Sequence, residues 1–263
     1  MRRLLSSFAV LIFVAPAFGQ DFAKERLEKS SRHQEWVEIK HDGRPVHAFV
    51  VYPEVKDKAT AVLVIHEIFG LTDWVRSVAD QLAEAGYIAI APDLLSGMGP
   101  NGGKTDSFKG QNDVIQAIRR LPADQITADL DAVSDYVIKL PAANGKLAVC
   151  GFCWGGGQSL RYATNRKDLK ASFVFYGADK DADVQRIGCP VFGFYGENDA
   201  RINMTIDSTK DQMKAAGKTY EPVIYAGAGH GFMRMGDDPK GNEANKKARA
   251  DAWKRWKEEL KKL

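Results

Sequence analysis

The sequence contains only three cysteines, Cys150, Cys153 and Cys189, among its 263 residues. A set this small and odd in number forms no disulfide framework and leaves at least one thiol free. Cys150 and Cys153 nevertheless make a Cys-x-x-Cys pair, which elsewhere is typical of thiol–disulfide exchange. Each cysteine could be a catalytic thiol or a buried packing residue. The residues around it indicate which role is favoured.

The sequence also lacks a large excess of either charge. Its 37 Lys and Arg residues oppose 34 Asp and Glu residues, for a formal net charge of +3. A chain this close to neutrality lacks the excess of basic residues that is typical of nucleic-acid binding. The Lys-rich C-terminal stretch is interleaved with Glu258, Glu259 and Trp256, as on the wet face of an amphipathic helix. We therefore expect no nucleic-acid partner.

The N-terminal apolar run, Leu4 to Pro16, is shorter than the ~20 apolar residues of a membrane-spanning helix. It follows Arg2 and Arg3 and precedes the small residue Gly19, as in a secretory signal peptide. An uncleaved anchor or a buried helix is the alternative. We predict a signal peptide over residues 1–19 and a secreted or periplasmic protein without a stable membrane anchor. Cleavage would remove both arginines and lower the net charge from +3 to +1.

The rest of the chain reads as one α/β domain, residues 20–263, with no linker, internal repeat or low-complexity tract. Residues 35–52 alternate around His41–Pro45, which predicts an antiparallel hairpin. Short apolar runs with helical stripes between them then predict a mostly parallel central sheet with helices on both faces. The predicted strands are 60–65, 87–91, 146–152, 171–176, 191–195 and 222–225, and the predicted helices are 73–85, 124–140, 154–165, 205–216 and 243–261. The Gly-rich segment 96–110 fits no P-loop, and we expect a flexible loop over the sheet's carboxyl edge.

A predicted strand ends at Gly151-Phe152-Cys153-Trp154-Gly155-Gly156, and a predicted helix follows. A strand, a sharp turn and a helix form the context of a nucleophile elbow, with Cys153 in place of the usual serine. Small residues are needed two positions before and after the nucleophile, and Gly151 and Gly155 stand there. The free N–H groups of the helix would favour a thiolate at Cys153. Cys150 lies inside the strand, where a regular backbone keeps its thiol away from Cys153.

A thiol that is mostly protonated at neutral pH needs a base, and His230 is the one histidine after Cys153. It lies in a Gly-rich loop after a predicted strand. In this arrangement an acid lies between nucleophile and base in the chain, and Asp199 follows the strand 191–195. Glu197 and Asp207 are the alternatives. We predict that Asp199 orients the imidazole.

An oxyanion intermediate needs two N–H donors. One is expected from Trp154, the residue after the nucleophile, and the other from the loop after the first parallel strand. We predict the amide of Ile68 for that second donor.

Together these residues resemble the dienelactone hydrolase (carboxymethylenebutenolidase) family of α/β-hydrolases over roughly residues 35–263. The matching motifs are His-Glu-Ile-Phe-Gly (66–70), Ala-Pro-Asp-Leu (91–94), Gly-Phe-Cys-Trp-Gly-Gly (151–156), Gly-Glu-Asn-Asp (196–199) and Gly-His-Gly-Phe (229–232). The resemblance implies that Glu67 contacts the resting thiol and helps to generate thiolate. It also implies that Arg234 binds a substrate carboxylate. A second arginine is expected soon after Ala-Pro-Asp-Leu, but Leu95, Ser96 and Gly97 stand there.

The sequence thus predicts a hydrolase that cleaves an ester or lactone through a Cys-His-Asp triad and an acyl-thioester. A thiolate leaves a tetrahedral intermediate more readily than an alkoxide does, so enol lactones and aryl esters are the favoured substrates. We predict no cofactor and no metal site. The alternatives are a redox protein that uses Cys150 and Cys153, and a non-catalytic binding protein on a hydrolase scaffold.

Overall fold

The computed structural model of the protein describes residues 20–263, and the predicted signal peptide lies outside the described residues. Eight strands form one sheet in the order β1-β2-β4-β3-β5-β6-β7-β8. The strands are β1 (Gln34–His41), β2 (Arg44–Val51), β3 (Ala59–Ile65), β4 (Ile88–Pro92), β5 (Ala143–Phe152), β6 (Ala171–Phe175), β7 (Val191–Gly196) and β8 (Tyr220–Tyr225).

The first two strands form the predicted antiparallel hairpin, and β2 also pairs antiparallel with β4. All other neighbours are parallel. Every residue of β3 is buried, which explains why the strand is apolar apart from Thr60, because a central parallel strand is covered on both faces. The predicted fold class, a mostly parallel sheet of the α/β-hydrolase type, is confirmed.

Helices cover both faces of the sheet. They are α1 (Asp21–Lys29), α2 (Asp73–Glu84), α3 (Gln111–Arg119), α4 (Ala123–Ile138), α5 (Trp154–Asn165), α6 (Ala200–Asn203), α7 (Ile206–Ala215), α8 (Phe232–Met235) and α9 (Glu243–Leu260). Alternate strand residues contribute to two separate cores: Leu63 and Ile65 face α3, α4 and α5, whereas Val62 and Val64 face α2 and α9. The carboxyl ends of the parallel strands therefore meet at one edge between the two helical layers.

The Gly-rich segment after β4 is anchored at Thr105. Its hydroxyl donates to one carboxylate oxygen of Asp93 at 2.8 Å, and its N–H donates to the other at 3.0 Å. The same side chain packs against Gly70, where a Cβ would come within 2.4 Å of the Thr105 hydroxyl. The segment thus lies at the carboxyl edge as predicted, but Asp93 fixes its middle and two short 3₁₀ turns shape it.

Within residues 20–263, no helix combines the length and the apolar character needed to cross a lipid bilayer.

Candidate active site

Cys153 lies in the sharp turn between β5 and α5, with φ 56° and ψ −115°. Its N–H donates to the carbonyl oxygen of Phe175 at 3.0 Å, which ties the turn to the end of β6. The flanking glycines are required by close packing. A Cβ on Gly151 would lie 1.9 Å from the carbonyl oxygen of Gly155, and one on Gly155 would lie 2.3 Å from that of His66. The strand, turn and helix predicted around Cys153 are all present.

The structure brings His230 and Asp199 to this turn. Nε2 of His230 lies 3.1 Å from Sγ of Cys153, and Nδ1 lies 2.5 Å from Oδ2 of Asp199. Because the carboxylate accepts from Nδ1–H, Nε2 is left to accept the thiol proton. His230 is partly exposed and Asp199 is buried. The three residues come from the ends of β5, β7 and β8, as expected of a site at the carboxyl edge of the sheet.

The two alternative acids lie elsewhere. Glu197 accepts a hydrogen bond from the N–H of Gly227 at 2.7 Å, and Asp207 lies in the first turn of α7. Asp199 also caps α6, because its Oδ1 accepts from the N–H of Ile202 at 3.4 Å. This cap fixes one carboxylate oxygen and leaves the other for His230.

The backbone N–H groups of Trp154 and Ile68 lie close enough to the sulfur of Cys153 to lower its pKa. These are the two predicted oxyanion donors. Burial and the charge of Glu67 raise the pKa of the Cys153 thiol to about 11, while the two amides and Arg201 oppose the rise. The resting cysteine is therefore a thiol at neutral pH.

Glu67 and Arg234 form a largely buried ion pair, with Nε of the arginine 2.8 Å from Oε2 of the glutamate. Burial raises the pKa of Glu67, and the Arg234 guanidinium opposes this rise. The contact that the resemblance implied between Glu67 and the resting thiol is not the arrangement seen, because the sulfur lies against His230. Glu67 acts on the thiol through its charge.

Two cavities meet this region. One, of about 270 Å³, opens on Cys153 and is lined by Tyr176, Arg161 and Arg201 among others. The hydroxyl of Tyr176 is buried and has no hydrogen-bond partner within residues 20–263. The second cavity, of about 510 Å³, is lined by Phe69 and Arg234 but not by Cys153.

Comparisons with known proteins identify the family. Residues 46–263 match the model of the dienelactone hydrolase family. The chain belongs to the dienelactone hydrolase family. A Methylorubrum extorquens relative named "Putative carboxymethylenebutenolidase" is 32% identical over 203 residues, covering 71% of this chain and 68% of the relative. A Salmonella typhimurium relative of the same name is 30% identical over 231 residues, covering 82% of this chain and 83% of the relative.

Solved structures agree with this membership. A crystal structure described as a "Putative Dienelactone Hydrolase" from Klebsiella pneumoniae has a TM-score of 0.77 at 26% identity, covering 89% of this chain and 100% of that one. As a member of this family, the protein is a carboxylic-ester hydrolase that acts on an ester or lactone bond. The predicted family and enzyme class are confirmed.

In this dienelactone hydrolase family member, Cys150 is unsuited to thiol exchange. It is fully buried near the carboxyl end of β5 and faces α2 and α9, and burial raises its pKa well above the usual value. An exchange protein of the Cys-x-x-Cys type needs its attacking thiol exposed at a helix N-terminus. Here Cys153 holds that place, directly before α5, so Cys150 is core packing.

Two further residues of the site were not identified from the sequence. His66 is fully buried, its Nδ1–H donates to the carbonyl oxygen of Glu67 at 2.8 Å, and its ring stacks on Trp154 at 5.5 Å. Arg201 lines the cavity of Cys153 two positions after Asp199. The available signal for His66 was a polar residue at the end of a buried strand. For Arg201 it was an arginine shortly after the predicted acid. Within residues 20–263, no cluster of three potential ligands could hold a metal ion.

Proposed function

We propose that this protein hydrolyses an activated ester or lactone with Cys153 as nucleophile, His230 as general base and Asp199 as the residue that orients the imidazole. The observation that carries the proposal is the continuous contact from Asp199 through His230 to Cys153, at 2.5 and 3.1 Å. Nucleophile, base and orienting acid within hydrogen-bond reach are the signature of covalent catalysis. The position of Cys153 in a turn closed by two glycines supports the same role.

The first half of the reaction would proceed as follows. As Sγ of Cys153 attacks the carbonyl carbon, its proton passes to Nε2 of His230. The carbonyl oxygen becomes an oxyanion between the N–H groups of Ile68 and Trp154, the two amides that lower the pKa of the resting thiol. The carbon–oxygen bond then breaks, and the leaving oxygen takes the proton from His230. An acyl-thioester on Cys153 remains.

Water completes the cycle. His230 removes a proton from water as the water oxygen attacks the thioester carbonyl, and the new tetrahedral intermediate forms in the same oxyanion hole. The carbon–sulfur bond breaks, Cys153 regains its proton from His230, and the carboxylic acid leaves.

The thiol chemistry restricts the substrate. A tetrahedral intermediate expels its better leaving group, and thiolate is a better leaving group than an alkoxide. Alkyl esters would therefore revert to substrate, whereas enol lactones and aryl esters would proceed. We propose these activated compounds as the substrate class, with Arg234 as a candidate contact for a substrate carboxylate.

The test compares Cys153→Ala with Cys150→Ala on a panel of lactones, aryl esters and alkyl esters. We expect Cys153→Ala to abolish hydrolysis and Cys150→Ala to retain it, with mass spectrometry finding the acyl adduct on Cys153 of the wild type. Activity that survives in Cys153→Ala but not in Cys150→Ala would overturn the proposal. Faster turnover of alkyl than of aryl esters would overturn the substrate class alone.

A further inference from the structure

The cavity beside the nucleophile contains two arginines whose surroundings differ. Arg161 is held by Asp179, with its Nε 2.5 Å and its Nη2 3.0 Å from the two carboxylate oxygens. Arg201 is exposed and forms neither an ion pair nor a side-chain hydrogen bond with any residue in the range 20–263. Arg161 is thus already neutralised, and Arg201 is available to a ligand.

The other charges near Cys153 do not compensate Arg201. Glu67 is paired with Arg234, and Asp199 is engaged by His230 and the start of α6. The positive charge of Arg201 reaches the reacting sulfur, because it lowers the pKa of Cys153 against the effects of burial and Glu67. An anion bound at Arg201 would therefore lie in the same cavity as the sulfur.

Arg201 is also well positioned by the fold. It lies on α6, which begins directly after Asp199, and Asp199 contacts both His230 and the first turn of that helix. The backbone of Arg201 therefore has a fixed place relative to the reacting groups. Leu95 and Ser96, where the second family arginine was expected, are buried and do not line this cavity.

We propose that Arg201 binds a carboxylate of the substrate and makes this hydrolase select anionic esters or lactones over neutral ones. A guanidinium and a carboxylate form two parallel charge-assisted hydrogen bonds, which add both affinity and orientation. The inference rests on the proposed function for the identity of the reaction. The binding of an anion beside Cys153 does not depend on turnover and is tested separately.

The first experiment uses 3-acetoxybenzoate and its neutral analogue 3-acetoxybenzamide, with the wild type, Arg201→Gln and Arg201→Lys. A lost hydrogen bond between charged groups costs about tenfold or more. We expect Arg201→Gln to lower kcat/KM for the benzoate by at least that factor and to change kcat/KM for the benzamide less than about twofold. Arg201→Lys should recover part of the loss for the benzoate. Arg119→Gln is the matched control, because Arg119 is exposed at the end of α3 and lies outside this cavity.

The second experiment measures alkylation of Cys153 by iodoacetate and by iodoacetamide, which differ in charge but little in shape. The ratio of the two rates cancels any change in the thiolate fraction. We expect this ratio to fall several-fold in Arg201→Gln and to stay at the wild-type value in Arg119→Gln, with mass spectrometry locating the adduct.

The outcomes separate the two proposals. If the wild type hydrolyses neither ester, the proposed function fails for this class, and the alkylation ratio still decides the role of Arg201. If Arg201→Gln leaves the ratio unchanged, or slows the benzamide as much as the benzoate, the anion-binding role is overturned while the triad stands.

Discussion

His66 donates a hydrogen bond from Nδ1 to the carbonyl oxygen of Glu67, at 2.8 Å, and this carbonyl belongs to the peptide group that carries the N–H of Ile68. In a trans peptide the C=O and N–H bonds point in opposite directions, so fixing the oxygen from one side aims the N–H to the other. That N–H is one of the two backbone amides that lower the pKa of the Cys153 thiol. His66 is buried, and burial lowers its pKa, so the ring is neutral and keeps a single Nδ1–H donor.

The substitution His66→Phe tests this positioning role. Phenylalanine keeps a ring against Trp154 but removes the donor to Glu67. Since loss of one oxyanion donor commonly costs ~10²–10³ in kcat, we expect a fall in kcat towards ~10²-fold with little change in KM. Steady-state kinetics on an aryl ester measures both constants, and urea unfolding shows whether the fold is retained. An unchanged kcat in a folded variant would exclude the role.

Glu67→Gln is expected to make Cys153 more reactive in the resting enzyme. The negative charge of Glu67 raises the pKa of the thiol, which stands at about 11, so its removal lowers that pKa. At pH values below the pKa, each unit of decrease gives about tenfold more thiolate. Alkylation by iodoacetamide at pH 8 should therefore be several-fold faster in Glu67→Gln, and its pH profile should shift to lower pH.

The control for that measurement is Glu54→Gln, which removes an exposed carboxylate in the loop between β2 and β3. It should alkylate at the wild-type rate. Slower alkylation of Glu67→Gln would instead support a glutamate that generates thiolate in the resting state, as the family resemblance implied.

The ion pair between Glu67 and Arg234 predicts unequal effects of single and double substitution. Removing one partner of a buried pair leaves an uncompensated charge and costs ~3–5 kcal/mol, whereas replacing both is often nearly neutral. Arg234 remains partly exposed, with 28% of its side chain accessible. We therefore expect the loss of unfolding free energy in Arg234→Met to lie at or below the lower end of that range. The double variant Glu67→Gln/Arg234→Met should recover most of the loss. Urea denaturation of the four proteins measures the coupling, and purely additive losses would show that the pair contributes nothing.

Much of this fold could be predicted because each central strand is covered on both faces. The apolar runs within β3 and β5 placed those strands to within three residues, and the start of β5 was missed because residues 144–146 are exposed. The helix α1 was missed because its residues are mostly exposed and its mean hydropathy is low. It is held in place by contacts with residues that are distant in the sequence. Arg26 pairs with the buried Asp237 at 2.8 Å, a contact across more than two hundred residues that no local pattern reveals.

The site divides in the same way. The proximity of Cys153, His230 and Asp199 could be predicted because turn chemistry and chain order constrain them. His66 and Arg201 were missed because their roles depend on what their neighbours already bind. The proposed role of His66 depends on its hydrogen bond to the Glu67 carbonyl, and the pairing of Arg161 with Asp179 distinguishes Arg201, so neither could be inferred without the fold.

The backbone of Cys153 predicts a difference in stability between Cys153→Gly and Cys153→Ala. Its positive φ strains any residue with a Cβ, at a cost of ~1–3 kcal/mol. Glycine relieves this strain but loses ~0.4–1 kcal/mol relative to alanine through its more flexible unfolded chain. We therefore expect Cys153→Gly to be about 1 kcal/mol more stable than Cys153→Ala, because the first effect exceeds the second. Urea denaturation of the two variants, which differ only in a methyl group, measures it, and greater stability of Cys153→Ala would refute the strain.

The left-handed backbone at Cys153 also bears on how this protein tolerates mutation. Folded proteins stand only a little above the stability they need, and that margin absorbs random substitutions throughout the chain. The backbone strain at position 153 lowers the free energy of unfolding, so it reduces the number of destabilising substitutions that the rest of the chain can tolerate. The proposed role of Cys153 as nucleophile therefore accounts for a side chain at a position where hydrogen alone would leave the chain a larger margin of stability.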